Sequence, residues 1–229
     1  MIIFGGCSFT QEIHNHYQSI NFKKMELDPP IKKWPELFAA KINMPYINTA
    51  RSGLDNKSIY YYILEQLVLQ KDVKVVAVMW SGWFRERLYT TSFLPTAKTE
   101  KKKYSKTYLD KKEYWDAKWD LQQVVLKNLK EEGTFFKHCV DRTLDYQKKL
   151  KNICEDNNIV LIQSQGTMAT FSEYAKYEPV HGHYPIKISW QEELSEEFLI
   201  NSPWDNHPNQ KGSELIAEWY EREYNETIN

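Results

Sequence analysis

Cysteine is scarce in this chain, neither sign of charge is in excess, and no apolar run approaches the length of a membrane span. Each shortage excludes something. Cys7, Cys139 and Cys154 are an odd number of cysteines in 229 residues, which argues against a disulfide framework and for a reducing compartment. The 30 basic and 31 acidic side chains give a net charge of −1, so binding of a phosphate backbone by the whole surface is not expected. Residues 1–4 are apolar but too short for the core of a secretion signal, and no basic segment precedes them. A soluble, cytoplasmic protein is the expectation, with neither nucleic acid nor membrane as partner. His14-x-His16 and His181-x-His183 have no cysteine or carboxylate cluster spaced with them. They read as exposed loop histidines, and no metal and no cofactor is expected. Internal repeats and low-complexity linkers are also missing.

What is present is a full core and a surplus of rings. Hydrophobic residues make up 41% of the chain, enough for one α/β domain of this length. Aromatic residues reach 14%, with 8 Trp and 15 Tyr, more than such a core needs, so some should line a surface or pocket. Residues 1–5 form a short apolar strand. Residues 34–42 carry Leu37, Phe38 and Ile42 at helical spacing, and 45–48 make a second strand. In 56–69, Ile59, Ile63 and Leu67 share one helix face, with Asp55 as N-cap. Residues 73–80 form the strongest strand, apolar almost throughout, as suits a parallel strand buried on both faces.

Residues 85–120 break the rhythm. They are rich in Lys and Tyr, and read as an insertion or lid on a single domain spanning 1–229. Segments 116–130 and 134–157 have helical patterns around Gly133, 158–163 is a further strand, and 164–204 is mostly irregular with a helical piece near 192–198. Residues 209–224 form a terminal helix. Strands alternating with helices predict a three-layer α/β/α fold, flavodoxin-like, with a central parallel sheet of about five strands. In such sheets the site lies at the carboxyl ends of the strands.

Three motifs fall at those ends. Gly5-Gly6-Cys7-Ser8-Phe9-Thr10 puts a hydroxyl just past the first strand. Read alone, Ser8 is a serine in an ordinary strand-to-helix turn, such as an N-cap, and Cys7 competes as a nucleophile because a thiolate is intrinsically stronger. Adjacent residues leaving a strand point opposite ways, so only one of the two can face a base. Asp205-Asn206-His207-Pro208-Asn209 puts an acid and an imidazole before the last helix. A hydroxyl, a base and an acid that orients the base are the parts of an activated nucleophile. Asn48-Thr49-Ala50-Arg51-Ser52-Gly53-Leu54-Asp55-Asn56 follows the second strand. Gly53 can bring its N–H close to a ligand without a Cβ, and Asn56 offers an amide donor. With the Ser8 N–H they would make an oxyanion hole.

Taken together, these motifs resemble the blocks of the SGNH (GDSL-like) hydrolase superfamily. Gly6-Cys7-Ser8 is similar to its first block, Asn48…Gly53 to its second and Asp205-Asn206-His207-Pro208-Asn209 to its last, in the right order. The resemblance implies that Ser8 is the nucleophile, His207 the base, Asp205 its partner and Gly53 an oxyanion donor. Two departures stand out. The family's third block usually carries Gly-x-Asn after the third strand, whereas this chain reads Met79-Trp80-Ser81-Gly82-Trp83. Ser81 or Asn56 is the expected substitute donor. The usual Asp-x-x-His spacing is here Asp-x-His.

Trp80, Trp83 and Arg85 follow the third strand and are the candidate substrate-binding residues, with His14 at the pocket mouth. Tyr104, Tyr108, Tyr114, Trp115 and Trp119, interleaved with lysines, have the composition of a single-strand nucleic-acid surface. At near-zero net charge a solvated lid is the preferred reading. The expected function is therefore a serine esterase acting on a small-molecule or carbohydrate ester, an O-acetylated sugar by preference. The alternatives are a catalytically silent binding module of the same fold and an O-acyltransferase using the same site.

Overall fold

Four parallel strands form one sheet in a computed structural model that describes residues 1–11, 31–82, 134–166, 188–199 and 207–228. They are β1 (Ile2–Gly6), β2 (Tyr46–Asn48), β3 (Val75–Trp80) and β4 (Val160–Gln165), in the order β2-β1-β3-β4. Helix α1 (Trp34–Lys41) lies between β1 and β2, α2 (Asn56–Leu69) between β2 and β3, and α3 (Thr134–Asp156) between β3 and β4. A short α4 (Trp190–Glu193), a 3₁₀ turn (Glu196–Phe198) and the terminal α5 (Gln210–Ile228) follow. The order is that of a flavodoxin-like sheet, with four strands among the described residues where about five were expected. By internal contacts the chain divides into two compact units, Met1–Arg85 with Arg142–Asn229, and Glu86–Asp141. The expected insertion at 85–120 and the helix at 116–130 lie outside the described residues.

The sheet separates two apolar cores, as the period of two in a strand requires. Ile2, Phe4, Val75, Ala77 and Met79 face a core shared with α1 and α5. Ile3, Val76, Val78 and Trp80 face the core of α2 and α3. Every residue of β1 and β3 is buried, which explains their unbroken apolar sequence. On the first face, Trp34 stacks on Tyr220 with ring centroids 4.2 Å apart, and Lys41 pairs with Glu221 at 2.9 Å. On the second, the Asp55 carboxylate accepts the Ser58 N–H at 2.7 Å and so starts α2.

β4 begins and ends two residues later than expected. Asn158 stands at φ 55°, the left-handed position that ends α3, so it cannot open a strand. At the far end, Ser164 and Gln165 stay in the strand although polar and buried, because the sheet's surroundings satisfy them. Ser164 Oγ receives the Trp190 indole N–H at 3.1 Å and lies 2.7 Å from Tyr220 Oη, which donates to Val78 O at 2.9 Å. Among the described residues no helix is long and apolar enough to cross a membrane.

Candidate active site

The sheet order reverses between β1 and β3, and at such a switch point a crevice opens beyond the carboxyl ends of the strands. β1 ends at that edge, and Ser8 follows its last residue by two positions. After Gly6 the chain turns back at once, the Cys7 carbonyl accepting both Thr10 N–H and Gln11 N–H at 3.0 Å. Gly6 permits the turn, since a Cβ there would collide with the Thr10 side chain. Ser8 is partly exposed in the turn, whereas Cys7 is wholly buried in the α1/α5 core. Of the two competing nucleophiles, only Ser8 reaches solvent, and Cys7 packs as a small apolar residue.

The loop after β2 is laced onto this turn. Thr49 N–H and Thr49 Oγ1 donate to Phe4 O at 2.9 and 2.8 Å, and Asn48 Nδ2 donates to Thr10 O at 3.0 Å. Ser52 N–H reaches Gln11 Oε1 at 2.5 Å. Gly53 crowns the loop at φ +75°, with open space where a Cβ would stand. A main chain so exposed is accessible to a ligand.

His207 is set by the segment in front of α5. Asn209 organises it: its Nδ2 donates to Glu197 O and Leu199 O at 2.7 and 3.0 Å, and its Oδ1 accepts Gly212 N–H at 3.0 Å. Gly212 lies so close to the Phe198 carbonyl that a Cβ would collide with it. Leu199 bridges antiparallel to Pro208. Together these contacts hold the residue before Pro208 against the segment Glu197–Leu199. There the His207 ring meets the Phe9 ring, with centroids 4.9 Å apart and planes inclined at 43°. The residue after Ser8 thus touches His207, and His207 Nε2 is shielded from solvent. Two motifs from opposite ends of the chain meet at one rim.

Other expected site residues are placed differently. Asn56 was expected to aim its amide at an oxyanion. Both amide hydrogens are used elsewhere, on Ser81 O and Thr143 Oγ1 at 3.1 Å each, and its Oδ1 accepts Ser81 N–H at 2.8 Å. Trp80 was expected to face substrate but is wholly buried in the α2/α3 core, its Nε1 donating to Gln163 Oε1 at 2.8 Å. Its even position in β3 gives it the same face as Val76 and Val78. Ser81 is buried and its N–H is taken by Asn56, but its Oγ has no hydrogen-bond partner among the described residues. Asp205, Trp83, Arg85 and His14 lie outside the described residues. The bond from Gln165 Nε2 to Ser81 O, just past the end of β3, was not foreseen. Its signal was the polar run Gln163-Ser164-Gln165 in a buried strand.

Ionisable groups near the cores are held neutral by burial. Burial pushes the Tyr220 hydroxyl far above its ordinary range, and the Ser164 bond only partly offsets this. Burial likewise pushes the Cys154 thiol up to about 12. No group of three or more His, Cys, Asp or Glu that could hold a metal occurs among the described residues.

No family model and no curated protein matches the chain. In fold it is similar to solved structures. One is provisionally named a lipolytic protein of the G-D-S-L family, from Desulfitobacterium hafniense, with 12% identity, 97% of this chain and 98% of that one covered, and a TM-score of 0.43. A second, provisionally named an acylhydrolase, comes from Bacteroides fragilis, with 12% identity, 100% and 88% covered, and a TM-score of 0.44. A third, from Veillonella parvula, is named a member of the lipolytic G-D-S-L family, with 14% identity, 95% and 93% covered, and a TM-score of 0.33.

Proposed function

We propose that this protein is a serine hydrolase of carboxylic esters, of SGNH type, with Ser8 as nucleophile and His207 as general base. The observation that supports the reading is the contact of Phe9, the chain neighbour of Ser8, with His207, together with the exposure of Ser8 and the burial of Cys7. Ser8 Oγ attacks the ester carbonyl while His207 takes its proton. The tetrahedral oxyanion is met by the Ser8 and Gly53 N–H groups, with Ser81 Oγ as third donor. Collapse breaks the bond to the leaving alcohol, and His207 returns the proton to it. Water then attacks the acyl-enzyme, His207 again carrying the proton, and the acid leaves with Ser8 restored. Asp205, two residues before His207, is the group that would orient the imidazole.

The substrate class in this reading is an O-acetylated carbohydrate, supported by the aromatic surplus and by Trp83 and Arg85 following β3 in sequence. The test is turnover of p-nitrophenyl acetate and of an O-acetylated oligosaccharide by wild type and Ser8→Ala. The expected loss in kcat is roughly 10⁴-fold or more, the size seen when a triad member is removed. Equal rates from the two proteins would discard the esterase. If Cys7→Ser abolished turnover and Ser8→Ala did not, the nucleophile would be Cys7.

A further inference from the structure

The end of β3 is built in a way that a parallel sheet alone does not explain. In a parallel ladder the N–H and C=O of one residue point to the same neighbouring strand, and successive residues alternate between neighbours. Lys74 O accepts Val160 N–H and Trp80 O accepts Gly166 N–H on the β4 side, at 2.9 and 2.8 Å, so the alternate residues Val75, Ala77, Met79 and Ser81 turn their main-chain groups toward β1. The register pairs Gly6 with Met79, so a β1 continued by two residues would bring residue 8 opposite Ser81. β1 does not continue. The chain turns off at Cys7, whose carbonyl is taken by Thr10 and Gln11. The N–H of Ser81 would then be stranded in a buried position, at full desolvation cost, and its C=O would be left with Gln165 Nε2 alone.

The Asn56 carboxamide fills the vacated place. Ser81 N–H donates to its Oδ1 at 2.8 Å, and its Nδ2 donates to Ser81 O at 3.1 Å. A carboxamide carries the same donor and acceptor as a peptide group, so Asn56 acts as one link of the missing strand. It is itself fixed, as the first residue of α2 behind the Asp55 cap, and by its bond to Thr143 Oγ1 at 3.1 Å. From the other side, Gln165 Nε2 donates to Ser81 O at 2.5 Å and Gly166 N–H to Trp80 O at 2.8 Å. Alternation along β3 gives Ser81 the face of Val75, Ala77 and Met79, which is also the face of Phe9.

We propose that Asn56 is a positioning residue for the hydrolytic site: by replacing the strand that β1 abandons, it lets Ser8 leave the sheet while holding Ser81 at the level of Ser8. This rests on the reading of Ser8 as nucleophile. It goes beyond that reading because Asn56 touches neither substrate nor reacting atoms, and acts only through Ser81.

The experiment compares wild type, Ser8→Ala, Asn56→Ala, Thr143→Val and the Asn56→Ala/Thr143→Val double variant. It follows kcat and KM on p-nitrophenyl acetate and amide hydrogen exchange at Ser81. Displacing a group by an ångström can cost about 10²-fold. Asn56→Ala should therefore lose kcat by about that factor, with KM within about threefold, and its Ser81 amide should exchange faster. Thr143→Val should lose less, and nothing further in the Asn56→Ala background, because the two residues act as one unit. If Asn56→Ala does not fold, Asn56→Asp is read instead. It keeps the acceptor for Ser81 N–H, so Ser81 should stay protected from exchange while kcat still falls. Wild-type kcat in the variant that folds, a change confined to KM, or an unchanged Ser81 exchange rate in Asn56→Ala would overturn the proposal while Ser8→Ala is inactive. Wild-type turnover by Ser8→Ala would instead overturn the reading of Ser8, and the proposal with it.

Discussion

Tyr220→Phe removes one oxygen from the place where α5, the helix that follows His207, is tied to the sheet. That oxygen donates to Val78 O at 2.9 Å and lies 2.7 Å from Ser164 Oγ, which already accepts the Trp190 indole N–H at 3.1 Å. With its proton committed to Val78, Tyr220 Oη is the acceptor for the Ser164 hydroxyl. Phenylalanine leaves the ring stack with Trp34 in place, so packing changes little. Two effects remain. The bond to Val78 is worth about 1 kcal/mol, and the Ser164 hydroxyl is left buried without its acceptor, at about 1–3 kcal/mol more. The sum is about 2–4 kcal/mol, which in a chain of this size lowers Tm by roughly 4–16 °C. The assay is urea denaturation at constant m-value, on wild type, Tyr220→Phe, Ser164→Ala and the double variant. The double variant should be more stable than the sum of the single losses by about 1 kcal/mol or more, because the shared bond is counted only once. A Tyr220→Phe protein within about 0.5 kcal/mol of wild type would refute the reasoning, as would strict additivity.

Two further perturbations follow from the same structure. Burial holds the Cys154 thiol at about 12 against an ordinary value of 9.0, so above pH 9 the unfolded chain loses a proton that the folded chain keeps. The stability is complete below pH 9 and is lost as the pH rises toward 12. By pH 10 the loss is about 1.4 kcal/mol, and Cys154→Ala should flatten this slope in denaturation curves taken from pH 8 to 10. Gly212→Ala drives a Cβ into the Phe198 carbonyl. It should cost about 1–3 kcal/mol and shift His207, so kcat should fall along with Tm. Wild-type values of both would show that the contact does not set the base.

The extent to which the chain could be read in advance depends on whether a feature is local. Asp55 and the Ile59–Ile63 spacing marked α2, and the helix runs over Asn56–Leu69 as its cap and period required. The unbroken apolar run before Trp80 marked a strand buried on both faces, and β3 is that strand. Ser8 and His207 drew notice because each follows or precedes an element whose end is marked by glycine or proline, and the contact between their two motifs is that of Phe9 with His207. Asn56 and Trp80 were misread for a common reason. A carboxamide looks the same in sequence whether it serves a ligand or a main chain, and a Trp at a strand end looks the same whether it faces a crevice or a core. The choice for Asn56 was made by the residue at which β1 turns off. The choice for Trp80 was made by its parity within β3. Neither is visible without the register between strands.

The polar end of β4 brings these points together. Gln163, Ser164 and Gln165 would be a poor ending for a buried strand if each had to find its own solvent. Instead each one serves a neighbour that another element left incomplete. Gln163 takes the Trp80 indole N–H, Ser164 joins Trp190 to Tyr220, and Gln165 reaches Ser81 O. The four short strands among the described residues have little ladder to spare at their carboxyl edge, and β1 departs from the ladder early, at Cys7. Side chains that imitate peptide groups resolve this conflict. They keep β3 ordered to its last residue although β1 leaves the ladder at Cys7. On this argument, replacing Gln165 by leucine should loosen the same rim as replacing Asn56, but from the side away from Ser8. Its effect on kcat should accordingly be the smaller of the two.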